Sequence, residues 1–229
     1  SVPVDIDWRT AVNQSIDGLT IGFTPDIGVF SVDEEVETTV EAATEAFEDA
    51  GATVEPVTIE HGLSLEELTG AMRSSGAKAF ADGQELFSQT MGVDIRNHAD
   101  DVSDSLLTAL EVGEEVDATE EAKTDLIRTQ FFDAVVDAFE EYDLIVTPTM
   151  ARKGLDLHSD LGIEFEHFLT FPFNFTGHSA ASVPVGLTDD EGLPVGMQII
   201  GPRYGDDVVM AGSAAVEREQ PWDDIYQSC

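Results

Sequence analysis

The chain alternates between two hydrophobic rhythms, one of period two and one near 3.6, and that alternation predicts an α/β protein. "LTIGFTPD" (19–26) sets β-branched residues between glycine and proline and reads as a strand ending in a loop. Val36, Val40, Ala43 and Phe47 then recur on one helical face, with Gly51 placed to stop the helix. "ATVEPVTI" (52–59) reads as a second strand, so the three segments form a βαβ unit with a parallel pair and a right-handed crossover. Ser64 and Glu67 have capping-box spacing before a helix that runs towards Gln84. Residues 94–117 are polar and punctuated, which predicts loops around a short helix. Thr119 starts a long helix with Leu126, Phe131, Val135, Ala138 and Phe139 inward.

In "YDLIVTPT" (142–149), Leu144, Ile145 and Val146 read as a buried strand stopped by Pro148. "EFEHFL" (164–169) reads as a short helix. "ASVPVGL" (181–187) and "PVGMQIIG" (194–201) read as strands of an antiparallel hairpin turning through "TDDEG". Asp206 or Asp207 is placed to cap a last helix, Val208 to Glu217. The expected fold class is therefore α/β, a mixed β-sheet flanked by helices. No linker or repeat breaks residues 1–229, which are expected to form a single domain.

Charge changes the picture. The 229 residues carry 47 acidic and 10 basic side chains, a formal net charge of −37. Clustered Lys and Arg, which phosphate binding requires, do not occur, so neither nucleic acid nor an anionic membrane is an expected partner. The acids are spread along polar faces such as "VDEEVETTVEAATEAFEDAG" rather than gathered in a tail. At molar salt the Debye length falls to about 3 Å and screens their mutual repulsion. That pattern predicts a salt-adapted cytoplasm and, with it, a halophilic archaeal source. The single cysteine, Cys229, permits no internal disulfide and fits a reducing, cytoplasmic location. No charged-then-apolar leader opens the chain, and no apolar run approaches the ~20 residues of a membrane span, so a soluble protein is expected.

Candidate chemistry concentrates in residues 171–201. Residues 171–181 are expected to reach the sheet edge without regular pairing, helped by Pro172 and Gly177. Ligands of α/β sheets usually bind at strand ends. Thr170, Asn174, Thr176 and His178 are therefore candidates to line a pocket floored by Thr147, Pro148 and Thr149. The alternative, favoured by residue types alone, is that Asn174 and Thr176 satisfy buried backbone groups.

These same residues carry a resemblance. "TFPFNFTGHSAASVPVGLTDDEGLPVGMQIIGPRYGDD" (170–207) resembles the closing segment of amidase signature enzymes. There a Pro-x-Asn-x-x-Gly run leads into Pro-Ala-x-Ser-Val-Pro-x-Gly and then Leu-Pro-x-Gly-x-Gln-x-x-Gly. "YDLIVTPT" is similar to the family's Tyr-Asp-Leu-Leu-x-Thr-Pro-Thr strand, and residues 19–57 to the strand–helix–strand that opens its second half. The resemblance implies the C-terminal half of the amidase signature fold and a small carboxylic amide as substrate, with Thr147, Thr149, Thr170, Asn174 and His178 as substrate-binding candidates. His167 stands where the glutamine-using members carry an acidic residue, which argues against glutamine and for a general amide.

The family's serine nucleophile, second serine on a cis peptide and lysine base sit on a Gly-Ser-Ser-Gly segment and an upstream lysine, in the half that precedes everything matched here. Serine needs an adjacent base to be a nucleophile, and a lysine serves only if its pKa is lowered. Lys78, Lys123 and Lys153 are the lysines present, and none stands in that context. "MRSSGAKAF" (72–80) places Ser75 and Lys78 one helical turn apart, but without the flanking glycines or the partner motifs that give Ser-x-x-Lys meaning. No catalytic residue is therefore expected within the chain. His98 near Asp94 and Asp101, and His158 near Asp156 and Asp160, lack a second convergent His or Cys, so no metal is expected. No dinucleotide or phosphate-loop glycine pattern occurs, so no cofactor is expected. Two readings follow. In one, the chain is half of an amidase whose N-terminal half is separately encoded, or it self-associates through an exposed half-core. In the other, it is a free-standing, non-catalytic binding module. The first predicts a large apolar sheet edge or face, the second a closed surface.

Overall fold

A computed structural model describes residues 6–154, 167–189 and 192–222. His158 with its aspartates, most of the expected helix at 164–169, Asp190 and Glu191 of the hairpin turn, and Cys229 lie outside the described residues. Two strands come first in the sheet, β1 (Thr20–Phe23) and β2 (Thr53–Pro56), with helices α2 (Glu34–Ala43) and α3 (Glu45–Asp49) between them and a single turn, α1 (Trp8–Ala11), ahead of them. Helices α4 (Leu65–Met91), α5 (Asp104–Glu115) and α6 (Ala118–Ala138) lead to β3 (Leu144–Pro148). A short α7 (Phe171–Thr176), the hairpin β4 (Ser179–Leu187) and β5 (Pro194–Gly201), and α8 (Asp206–Glu219) complete the described order.

The five strands form one mixed sheet in the order β2-β1-β3-β5-β4. β1 runs parallel to β2 and β3, while β5 is antiparallel to both β3 and β4. The α/β reading, the parallel βαβ pair and the closing hairpin are thus all observed. Alternation along each strand sends side chains to opposite faces. Leu144, Val146, Val183, Met197 and Ile199 pack against α2, α3 and α8 on one face. Ile145 and Ile200 pack with Leu68, Phe131 and Phe173 of α4, α6 and α7 on the other.

Local signals explain the helix ends. Ser64 and Glu67 close a complete capping box: Glu67 N donates to Ser64 Oγ at 3.2 Å, and Ser64 N donates to Glu67 Oε2 at 2.9 Å. Such a cap contributes about 1 kcal/mol. Asp117, rather than Thr119, caps α6 by accepting from Thr119 N and Glu120 N.

Several expectations are corrected. α4 continues to Met91, past Gln84, because Gly92 (φ 70°) supplies the first left-handed stop. Residues 94–117 are mostly ordered: a 3-10 stretch, Ile95–Asp101, precedes α5, which packs on α4 through Leu110 and Gly113. The helix between β1 and β2 divides at Thr44, whose hydroxyl turns back to Glu41 O at 2.7 Å. Leu126 is 72% exposed. The inward stripe of α6 runs through Thr124, Ile127, Phe131, Val135 and Ala138, one position off Leu126. Gly205 is the N-cap of α8 and no side chain caps it; Asp206 and Asp207 fall in the first turn, where negative charge suits the helix dipole. Residues 171–181 are not irregular: they form α7 and the first residues of β4, with Ser179 paired to Gly201. Within 167–169, Phe168 bridges Met150 instead of entering a helix.

Candidate functional site

The C-terminal end of β3 brings polar side chains together over one strand of the hairpin. Thr147 opposes Gln198, and Thr149 N donates to Gly196 O at 2.9 Å, so β5 lies between β3 and β4. Side chains two strands apart are separated by about 10 Å of backbone and do not ordinarily meet. Here they do, because the residue between them is glycine. Thr149 Oγ1 and Ser182 Oγ sit 2.7 Å apart, and a Cβ on Gly196 would lie 2.9 Å from the first and 3.3 Å from the second. One hydroxyl proton is used within the pair, leaving one O–H and several lone pairs for a ligand. Among the described residues no base bonds either hydroxyl.

Around this pair the walls differ in depth. Thr147 is fully buried and its Oγ1 has no hydrogen-bond partner among the described residues. Gln198, also buried, donates from Nε2 to Leu169 O at 3.2 Å and ties the turn before α7 to the sheet. Thr170 is half-buried at the start of α7, and Asn174 is exposed on it. Thr176 follows the backbone-satisfying alternative, with its hydroxyl turned to Pro172 O at 3.1 Å and Phe173 O at 3.3 Å. On the same sheet face, Ala180 and Ser182 of β4 are exposed, and no helix among the described residues covers them.

His178 does not join this group. It lies four strand positions before Ser182, on the order of 13 Å away, in an aromatic enclosure. Phe132 stacks on its ring at 5.3 Å, with Phe139 at 5.7 Å and Phe173 at 6.3 Å. Its Nδ1 and the Thr176 hydroxyl are 2.7 Å apart. Burial pushes the imidazole down to about 4, helped by the nearby Arg203 guanidinium, so the ring is neutral. Ser182 and Gln198 complete the cluster and were not among the sequence candidates. Their cross-strand register, once the hairpin is drawn, was the available signal.

The other candidates carry no site. Lys78 Nζ is held by Asp82 at 2.6 Å, and that hydrogen bonding raises its pKa, so beside Ser75 it is an ammonium and not a base. A small pocket of about 130 Å³ opens at the strand ends between Val36, Met150, Lys153 and Gly196. At its rim Arg152 pairs with Asp33 at 2.6 Å and Lys153 with Glu35 at 3.3 Å. The larger groove, about 560 Å³, is on the opposite face between α2, α3 and β4. Its charged lining is Glu45, Asp49, Asp189 and Glu219, with no cation. Among the described residues no group of three or more His, Cys, Asp or Glu could hold a metal, and no helix is long and apolar enough to cross a membrane.

Fold and site together define an α/β scaffold that presents hydroxyls at the end of a parallel strand. Residues 1–210 match the family model described as Amidase, and the chain belongs to that family. A bacterial aryl acylamidase of the amidase signature family superposes with a TM-score of 0.87 at 32% identity, over 99% of this chain and 49% of its own. A glutamyl-tRNA(Gln) amidotransferase component from Streptococcus equi subsp. zooepidemicus is 28% identical over 95% of this chain and 48% of its own length. An acylamidase of Rhodococcus erythropolis is 28% identical over 96% and 46%. The chain spans about half the length of the curated relatives it matches.

Proposed function

We propose that the chain is the C-terminal half of an amidase-like carbon–nitrogen hydrolase and that Thr149, Ser182, Thr170 and Asn174 wall its amide pocket, with Thr147 behind them. The nucleophile and base come from residues outside these 229. The observation that supports this most is the hydroxyl pair over Gly196, set on a sheet face that the described helices leave open beside α7. Such donors orient a carbonyl or amide, and they need a proton acceptor from elsewhere to go further. His167 in place of an acidic residue favours a general amide over glutamine. A molar-salt cytoplasm is its proposed setting, given the net charge of −37.

A second reading, a free-standing binding module, is favoured by one observation. The open face carries Ala180 and Ser182 rather than the large apolar residues expected of an orphaned half-core. Native mass of the protein from its own cells, with an amide-hydrolysis assay in molar salt, separates the two. A Ser-Ser-Lys set, on a longer native polypeptide or on a co-purifying one, and turnover only when it is present, is the expected result. A lone active chain that loses turnover in Ser75→Ala would overturn the proposal. A lone chain that turns over no amide but binds one would favour the binding module.

A further inference from the structure

At the other end of β4 and β5, far from the hydroxyl pair, stands a cation with an unusual setting. Arg203 is exposed on the loop between β5 and α8, and its guanidinium lies over two rings, Phe132 at 5.9 Å and Tyr204 at 5.5 Å. In a chain with 47 acidic side chains, no carboxylate among the described residues pairs with it. Lys78, Arg96, Lys123, Arg128, Arg152 and Lys153 take carboxylate partners, whereas among the described residues Arg9 and Arg218 do not, Arg218 donating to Val12 O at 3.0 Å instead.

The setting is held in place at some cost. Tyr204 is 50% exposed and keeps a left-handed backbone (φ 66°), a conformation that favours glycine. Gly177, also left-handed, lies beside the guanidinium: a Cβ there would be in ordinary van der Waals contact with Arg203 Nη2, at 3.7 Å. Phe132 is fixed from behind by its stack on buried His178. Two rings thus orient the guanidinium plane without consuming its N–H donors, because cation–π contact uses the face and not the fork.

We propose that Arg203, oriented by Phe132 and Tyr204, is a binding site for a small organic carboxylate. A planar fork of N–H donors matches the two oxygens of a carboxylate, which a halide cannot reproduce. The proposal is independent of the amidase reading, since neither Arg203 nor its rings belong to the hydroxyl cluster.

Titration of the isotope-labelled chain with sodium acetate and with sodium benzoate, in molar potassium chloride, tests it by NMR. A single bidentate contact supports half-saturation on the order of 10 mM. The expected result is a saturable shift of the Arg203 Nε–H resonance at that scale. Arg203→Lys keeps the charge and loses the fork, and it should weaken binding at least about tenfold. The side chain is exposed, so an unchanged amide spectrum verifies the variant's fold. Linear, non-saturating shifts, or equal binding by Arg203→Lys, would overturn the site. So would an Arg203 shift that grows with protein concentration without added carboxylate, which assigns the contact to a second copy.

Discussion

β3 and β4 lie in the same sheet and meet opposite surroundings. Every residue of β3 is buried, because α2 and α8 cover one face and α4, α6 and α7 the other. β4 is an edge strand with Val183 and Val185 packed inward, while Ala180 and Ser182 face out. The difference separates two tasks. Residues of β3 close two cores that the chain completes with its own helices, so they carry stability. The outward residues of β4 carry little stability and are free for recognition, and the small size of Ala180 and Ser182 leaves room for whatever approaches.

Truncation at β3 should give the largest effect. Ile145 is fully buried in the core under α4 and α6. Ile145→Ala removes packed methyl groups and leaves a cavity, a loss of about 2–5 kcal/mol in denaturant unfolding. An equal loss from Ala180→Ser would erase the distinction between the strands.

The end of β4 next to His178 is closed, and acid tests that closure. The folded imidazole titrates near 4, below its ordinary 6.5, because burial and then Arg203 disfavour its charge. Stability from the neutral ring is fully present above pH 6.5 and is lost as pH falls through 4. Linkage sets an upper bound of about 3 kcal/mol on the loss between pH 7 and pH 4, reduced by whatever solvent reaches the ring. Carboxylates titrate over the same range, so the measurement is the stability difference between the chain and His178→Gln at each pH. That difference should shrink as pH falls. A constant difference would place the ring in water.

Between these strands runs β5, and Gly196→Ala probes it. The new Cβ meets Thr149 Oγ1 at 2.9 Å, so the hydroxyl pair must part or the strands must shift. A destabilisation of about 1–3 kcal/mol is expected. A neutral substitution would mean that the pair has slack.

Much of this contrast was legible in the residues. A continuous apolar run named β3, the two arms of the hairpin named β4 and β5, and the Ser64–Glu67 spacing named the start of α4 to the residue. What escaped depends on distant partners. α7 is six residues of mostly aromatic sequence with no polar face to show a period, and its helix is fixed by packing on α4 and α6. α5 was expected only as a short helix among loops, because Leu110 and Gly113 are its only buried residues and little apolar periodicity marks its length. Leu126 was read inward since one apolar residue off a stripe differs from its neighbour only in angle. His178 was grouped with the threonines by nearness in sequence. Its aromatic enclosure comes from Phe132 and Phe139, some forty residues earlier. Ser182 joined the site through register across an intervening strand.

The smallest effects give the finest comparison, because they set one hydroxyl on β3 against one on β4. Thr147 Oγ1 is buried without a hydrogen-bond partner, and an unmet buried hydroxyl costs about 1–3 kcal/mol. Thr147→Val replaces it with a methyl group of similar shape, so a gain of about 1 kcal/mol is expected in denaturant unfolding. Ser182→Ala also deletes a hydroxyl, but Ser182 is exposed and Thr149 only half-buried, so water takes the vacated hydrogen bond. Its effect should stay within about 0.5 kcal/mol. If Thr147→Val instead destabilises the chain, the buried hydroxyl has a partner after all, and the pocket floor extends deeper than Thr149. If Ser182→Ala is costly, the face of β4 is not open, and the reading of that strand as a recognition surface fails with it.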